Sequence, residues 1–172
     1  MKNFFLVIVI SALAFTACNT GNSTKINEPT SYDQIPWVDM AEVESLVKDN
    51  PKKIFIDVYT AWCGPCKMLE RSTFKDSTII NTLGKNFYSV KFDAEGPDAL
   101  TFKGKEYSNP GYRPERAKTR NGKHQFTNTF AIRGYPSMVI MDENLNIIDR
   151  IVGFRTAEQL KNDLAKHIIA AN

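Results

Sequence analysis

Residues 57–67 read DVYTAWCGPCK. Two cysteines, Cys63 and Cys66, stand two positions apart, with Gly64 and Pro65 between them, Trp62 in front and Lys67 behind. The run that leads into them, KIFIDVY at 53–59, is nearly continuous and apolar, the pattern of a strand covered on both faces. Its interior charge, Asp57, is the anomaly. A strand ending just before the pair delivers Cys63 to the first turn of a helix, where unsatisfied N–H groups and the helix dipole stabilise a thiolate. Pro65 suits that turn because a missing N–H costs little there, and Gly64 leaves room for a partner chain to approach.

A C-x-x-C pair has three common uses. Structural zinc needs about four ligands. Beyond the pair, a mature chain offers only His124 and His167, which would both have to converge on the sulfurs. A purely structural disulfide across so short a loop removes little entropy from the unfolded chain. Redox exchange needs an exposed, acidic first thiol and a second thiol about one turn on, able to attack the mixed disulfide and release the substrate. The local pattern fits that third use best, and no metal or other cofactor is called for.

The sequence on either side organises into an α/β domain. Met40, Val43, Leu46 and Val47 recur at helical spacing until Asp49-Asn50-Pro51 stops them. A helix begins at the cysteines and carries Met68 and Leu69. Asp76 or Ser77 can cap a second helix through Ile79, Ile80 and Leu83. FYSVKFD at 87–93 reads as a strand, and SMVIMD at 137–142 with IIDRIVG at 147–153 reads as a hairpin. Thr156 and Gln159 form a capping box for a last helix whose apolar face is Leu160, Leu164, Ile168 and Ile169. Alternating helices and strands of this kind give a mixed sheet. Residues 94–128 break the rhythm and are too long for a plain connection. With seven lysines and arginines against four carboxylates, the segment reads as an ordered surface excursion, either a source of partner choice or a solvated cap on one edge.

The chain has 172 residues, 42% hydrophobic and 24% charged, enough for one domain of ordinary size plus an appendage. A net charge of +3 is too small for nucleic-acid binding, which needs a concentrated basic face. The start, MKNFFLVIVISALAFTAC, has one lysine, then an apolar run from Phe4 to Phe15 broken only by Ser11. It is too short to span a bilayer, which takes about 20 residues, and reads as a secretory signal over 1–17. The small residues Thr16 and Ala17 before Cys18 resemble the lipobox of bacterial lipoproteins, in which that cysteine becomes the lipidated first residue. Phe15 departs from the aliphatic residue usual there. Cys18 acylation would explain the odd cysteine, and an ordinary signal or an uncleaved anchor is the alternative. Residues 18–34 are polar and turn-prone, a flexible tether to a domain over 35–172.

At this point the sequence resembles the thioredoxin superfamily. W-C-G-P-C-K with an aspartate six residues before the first cysteine, and AIRGYPS at 131–137, carry the resemblance over roughly residues 37–170 apart from the excursion. It implies a thioredoxin fold, a mixed central sheet flanked by helices, with an insertion at about 94–128 between the third-strand region and the cis-proline loop. It implies that Cys63 is the nucleophile and Cys66 the resolving thiol. Asp57 would be the buried carboxylate beneath them, raised in pKa and able to take the proton from Cys66; a structural aspartate bonded to nearby turns is the alternative. Lys91 matches a lysine that neighbours this carboxylate, or is an ordinary surface lysine, and Lys67 completes the motif. Trp62 would shield the sulfurs and pack on substrate. Pro136 would be cis and Tyr135 would offer its backbone to an extended substrate strand; Tyr135 is bulkier than the usual residue there. The stretch from Thr73 to Gly96 resembles the periplasmic thiol-reducing domains of disulfide-interchange proteins.

An intervening Gly-Pro resembles the reducing members of the superfamily, whose potentials lie near about −270 mV, against about −120 mV for a strong periplasmic oxidant. The expected activity is therefore reduction or isomerisation of disulfides in extracytoplasmic proteins. The expected partners are those proteins, a membrane thiol-reducing electron donor, and a membrane reached through a lipid on Cys18, inner or outer. Net oxidation, or metal delivery by the same pair, are the rival readings.

Overall fold

The strand predicted at 53–59 is the centre of the molecule. In the computed structural model, which describes residues 29–168, β2 (Lys53–Tyr59) is flanked by a parallel neighbour and an antiparallel one. With β1 (Trp37–Val38), β3 (Phe87–Asp93), β6 (Ser137–Met141) and β7 (Ile147–Val152) it forms one sheet in the order β1-β3-β2-β6-β7. β1 and β3 run parallel to β2, and β6 and β7 alternate antiparallel. This is the mixed α/β thioredoxin fold expected from the sequence. The signal segment, Cys18, the tether up to residue 28 and Ile169 lie outside the described residues.

Both faces of the sheet are covered, which is why β2 alternates between two apolar environments rather than between core and water. Ile54, Ile56 and Val58 point to one side, with Val90, Phe92, Val139 and Met141. Helix α1 (Val43–Asp49) packs there through Val43 and Val47. Phe55 points to the other side, with Phe87, Met138 and Ile140. There it meets Leu69 of α2 (Gly64–Arg71), Ile79, Ile80 and Leu83 of α3 (Ser77–Asn86), and Leu160 and Leu164 of α4 (Ala157–Ile168). Asp57 falls by period two on this second face, beneath α2.

The helix ends follow the sequence signals. Asp76 caps α3 by accepting from the amides of Thr78 and Ile79. Thr156 and Gln159 exchange reciprocal bonds before α4, at 3.0 and 3.3 Å. The fold reaches further back than Ile35: the Tyr32 amide donates to Asn81 Oδ1, and its ring lies so close over Gly84 that any Cβ there would sit 2.5 Å from it.

The segment after β3 differs from a surface excursion in one respect: part of it is core. It contains a hairpin of β4 (Leu100–Phe102) and β5 (Lys105–Tyr107), then short 3-10 turns at Pro114–Arg116 and Gln125–Phe130. Phe126 and Phe130 pack against Phe92, Phe102 packs on Phe126, and the three buried rings complete the apolar cover beside α1. The polar composition of 94–128 hides these few aromatic anchors. Asn109 ties the lobe together by donating to the carbonyls of Glu95, Gly96 and Gly122. Gly122 crosses Gly111 so closely that a Cβ would lie 2.3 Å from its backbone. Phe126→Ala should therefore cost about 3–5 kcal/mol of unfolding free energy, as for other buried phenylalanines, measured by chemical denaturation. Arg116→Ala, at an exposed position of the same lobe, should change stability by less than about 0.5 kcal/mol.

Candidate active site

β2 ends at Tyr59, and Thr60 turns the chain toward α2, its carbonyl accepting from the Cys63 amide at 3.1 Å. Cys63 is the N-cap of α2: its sulfur accepts from the Cys66 amide at 3.1 Å. Cys63 and Cys66 are joined in a disulfide. Gly64 and Pro65 are exposed above it, and nothing approaches the Gly64 Cβ position within 4 Å. The pair is thus reachable from outside on the Gly64 side, while both cysteines are themselves mostly covered. Lys67 and Met68 follow on the exposed side of the helix, Met68 with 55% of its surface in contact with solvent.

Beneath the pair lies a small cavity of about 80 Å³, lined by Asp57, Tyr59, Thr60, Ala61, Cys66, Lys67, Glu70 and Lys91. A volume of this size can admit water. Asp57 is 3% exposed, and its Oδ1 has no hydrogen-bond partner among the described residues. Burial pushes its carboxyl up to about 7, against a lowering by the Lys91 ammonium and a raising by Glu70. Lys91 sits directly opposite Asp57 in the register of β2 and β3. Its ammonium bonds Glu70 Oε1 at 2.6 Å and lies over the rings of Trp37 and Tyr59. That bond holds the Glu70 carboxyl below its ordinary value. Lys91 is therefore a neighbour of the buried carboxylate, shared with a glutamate that sequence reasoning did not single out. The signal for Glu70 was available only as helical spacing: it stands one turn beyond Cys66.

Trp62 lies beside the disulfide in sequence and is held from three directions. Its Nε1 donates to Glu95 Oε2 at 2.8 Å. The Arg120 guanidinium lies 4.7 Å from its ring centroid. Its ring meets Tyr135 edge-on at 6.2 Å. The Tyr135–Pro136 bond is cis, Pro136 is buried, and its carbonyl accepts from the Gly153 amide at 2.8 Å. Burial pushes the Tyr135 phenol up to about 12. In the sequence Glu95, Arg120 and Asn121 belong to the excursion, and no local pattern marks them as neighbours of Trp62.

The histidines are engaged elsewhere. His124 is buried, with Nε2 at 3.0 Å from the Asp98 carbonyl and Nδ1 accepting from the Phe126 amide. His167 pairs with Asp149 at 2.9 Å. Among the described residues no group of three or more His, Cys, Asp or Glu side chains is arranged to hold a metal ion, and no helix is long and apolar enough to cross a membrane.

Comparison with known proteins agrees with this geometry. The chain is 23% identical, over 133 residues, to the thiol:disulfide interchange protein DsbD of Pectobacterium atrosepticum, covering 76% of this chain but 19% of that one. It is 35% identical over 63 residues to the DsbD of Campylobacter jejuni, covering 37% and 11% of the two chains. The chain thus spans less than a fifth of the length of these curated relatives. Among solved structures, a thioredoxin from Thermus thermophilus superposes with a TM-score of 0.57 at 12% identity, covering 78% of this chain and 87% of that one. A candidate disulphide-isomerase from Bacteroides thetaiotaomicron superposes with a TM-score of 0.54 at 24% identity, covering 81% and 97%. The model of the thioredoxin-like domain matches residues 40–168: with a disulfide at the mouth of a cavity that holds a buried carboxylate, this chain belongs to the thioredoxin-like domain family.

Proposed function

We propose that the protein is a thiol–disulfide oxidoreductase that reduces or isomerises disulfides of extracytoplasmic proteins. The observation that carries the reading is the shared cavity of Cys66 and Asp57 under a Cys63 that caps a helix. In the reduced form, the Cys63 thiolate attacks one sulfur of a substrate disulfide. A Cys63–substrate bond forms, the substrate bond breaks, and the other substrate sulfur leaves as a thiolate. Cys66 then gives its proton to the Asp57 carboxylate, directly or through water, and attacks Cys63 Sγ. The intramolecular disulfide closes, the second substrate thiolate departs, and two electrons have passed to the substrate. A dithiol donor must reopen the Cys63–Cys66 bond. Lys91, tied to Glu70, moderates the charge beside Asp57, and Trp62 and Tyr135 form the wall on which a substrate strand rests.

The sequence before residue 29 supports an extracytoplasmic site of action, with Cys18 as a lipid-bearing residue. Similarity to DsbD proteins supports a membrane thiol-reducing partner as the donor. The Gly-Pro between the cysteines favours reduction over oxidation. A reduction potential below about −200 mV for the Cys63–Cys66 couple fits a reductase, whereas one above about −150 mV would assign net oxidation.

Mutation separates the steps. Cys63→Ser should abolish reduction of a protein disulfide such as that of insulin. Cys66→Ala should instead accumulate mixed disulfides on Cys63, visible on non-reducing gels, and the attached proteins identify substrates and donor. If Cys66→Ala traps nothing while wild type turns over substrate, the two roles are wrongly assigned.

Asp57 gives a pH signature. As a base it must be ionised, so the rate at which mixed disulfide is resolved should rise through pH about 7. Asp57→Asn should lose that inflection and slow resolution at pH 8 by at least about a hundredfold, the low end of what a positioned base contributes. The linked effect on stability has the opposite sense. A carboxyl whose pKa is raised by folding binds its proton more tightly in the folded state, so stability falls as pH rises from 3.8 to about 7 and stays low above. Asp57→Asn should therefore be more stable than wild type at pH 8 by up to about 4 kcal/mol, at about 1.4 kcal/mol per pKa unit. The difference should shrink as pH falls from about 7 and be largely gone below about 4, which thermal melts across pH would measure.

A further inference from the structure

The loop at 113–123 is fastened to the tryptophan beside the disulfide, and it carries cations that no carboxylate of the described residues pairs with. The Asn121 side chain closes the loop on itself, accepting from the Arg113 amide and donating to the Arg113 carbonyl, both at 2.8 Å. The Asn121 amide donates to Glu95 Oε2 at 2.7 Å, the same oxygen that holds Trp62 Nε1. One residue earlier, Arg120 lays its guanidinium over the Trp62 ring. The position of the loop relative to Cys63 is thus set through Trp62, the residue next to it in the chain.

Arg113, Arg116, Lys118, Arg120 and Lys123 are all exposed. Glu115 is the one carboxylate in the stretch, and among the described residues none of the five cations forms an ion pair. Like charges crowded on one short loop repel one another, so the arrangement works against the stability of the loop. The same field attracts an anionic chain and raises its rate of encounter. An extended polypeptide advances about 3.3 Å per residue, so acidic residues a few positions from a target cysteine come within reach of the loop when that cysteine sits on Cys63.

We propose that the 113–123 loop is a selecting rim that favours substrates with acidic residues flanking the target disulfide. This rests on the reading of Cys63–Cys66 as an exchange site. It goes beyond it in naming the recognised chemistry, an acidic polypeptide segment, and the residues that recognise it.

The test uses the full-length protein and two disulfide-linked peptides of equal length, identical around the cysteines and flanked by Asp/Glu in one and Lys in the other. Each rate is divided by that of the same protein on bis(2-hydroxyethyl) disulfide. At low salt the acidic peptide should have the higher kcat/KM, by about tenfold or more, and the ratio should collapse toward one at high ionic strength, as screening requires. The triple reversal R113E/R116E/K118E should invert the order of the two peptides. Equal kcat/KM for the two peptides at low salt, or a preference that survives the reversal, overturns the proposal; the wild-type comparison decides alone if the triple variant does not fold. Binding of the same peptides with Ser in place of Cys, followed by fluorescence anisotropy on the oxidised protein, separates the two claims. Charge-ordered binding without turnover of any disulfide would sink the exchange reading and leave the rim standing. Turnover or binding without charge order would sink the rim alone.

Discussion

A carboxylate in the middle of a central strand is the constraint on which the rest of the site turns. Asp57 takes the place in β2 that an apolar side chain would fill, on the face where Phe55 is packed. Burying a lone charge is costly enough that the group keeps its proton instead, so this position is neutral over much of the range in which other carboxyls are ionised. The molecule manages the consequence locally. α2 roofs the carboxyl with Cys66, β3 brings Lys91 alongside, and Glu70 returns from the helix to share that ammonium. These groups come from three elements, β2, β3 and α2, and the parallel register of β2 and β3 together with the cap at Cys63 determines how far apart they stand.

Much of this was legible because it is local or periodic. The apolar run at 53–59, the cap at Asp76, the box at Thr156 and Gln159, and the C-x-x-C pair all announce themselves within a few residues. The resemblance placed Asp57, Cys63, Cys66 and Pro136 together, and the structure sets Asp57 and Cys66 on one cavity and Tyr135 against Trp62. What stayed hidden depends on contacts between distant segments. β1 is two residues long and has no run to detect. Tyr32 looks like part of a polar tether until Gly84 is seen to offer it a flat seat. Glu70 and Glu95 are ordinary surface glutamates in sequence and acquire meaning only from the lysine and the tryptophan they meet.

The lobe after β3 illustrates how composition misleads. Its charge, glycine and proline content describe its outer side, whereas its attachment to the fold is made by a handful of residues. Phe126 and Phe130 bury apolar surface against Phe92, and Phe102 against Phe126. The Ala94 carbonyl accepts from the His124 amide and the Thr127 hydroxyl, and the Ala94 amide donates to the Tyr59 carbonyl. The lobe therefore grows from the end of β3, beside the end of the strand that carries Asp57 and next to the turn that delivers Cys63. Its placement follows from topology: a segment leaving the end of β3 emerges beside the end of β2.

The close crossing of Gly111 and Gly122, with Asn109 bonded beneath it, gives the lobe an internal frame independent of the side chains it displays. The side chains of Arg113, Arg116 and Lys118 take no part in that frame's hydrogen bonds. On the proposed reading of the rim, substrate choice can be retuned at those surface residues while the frame that holds the lobe stays as it is.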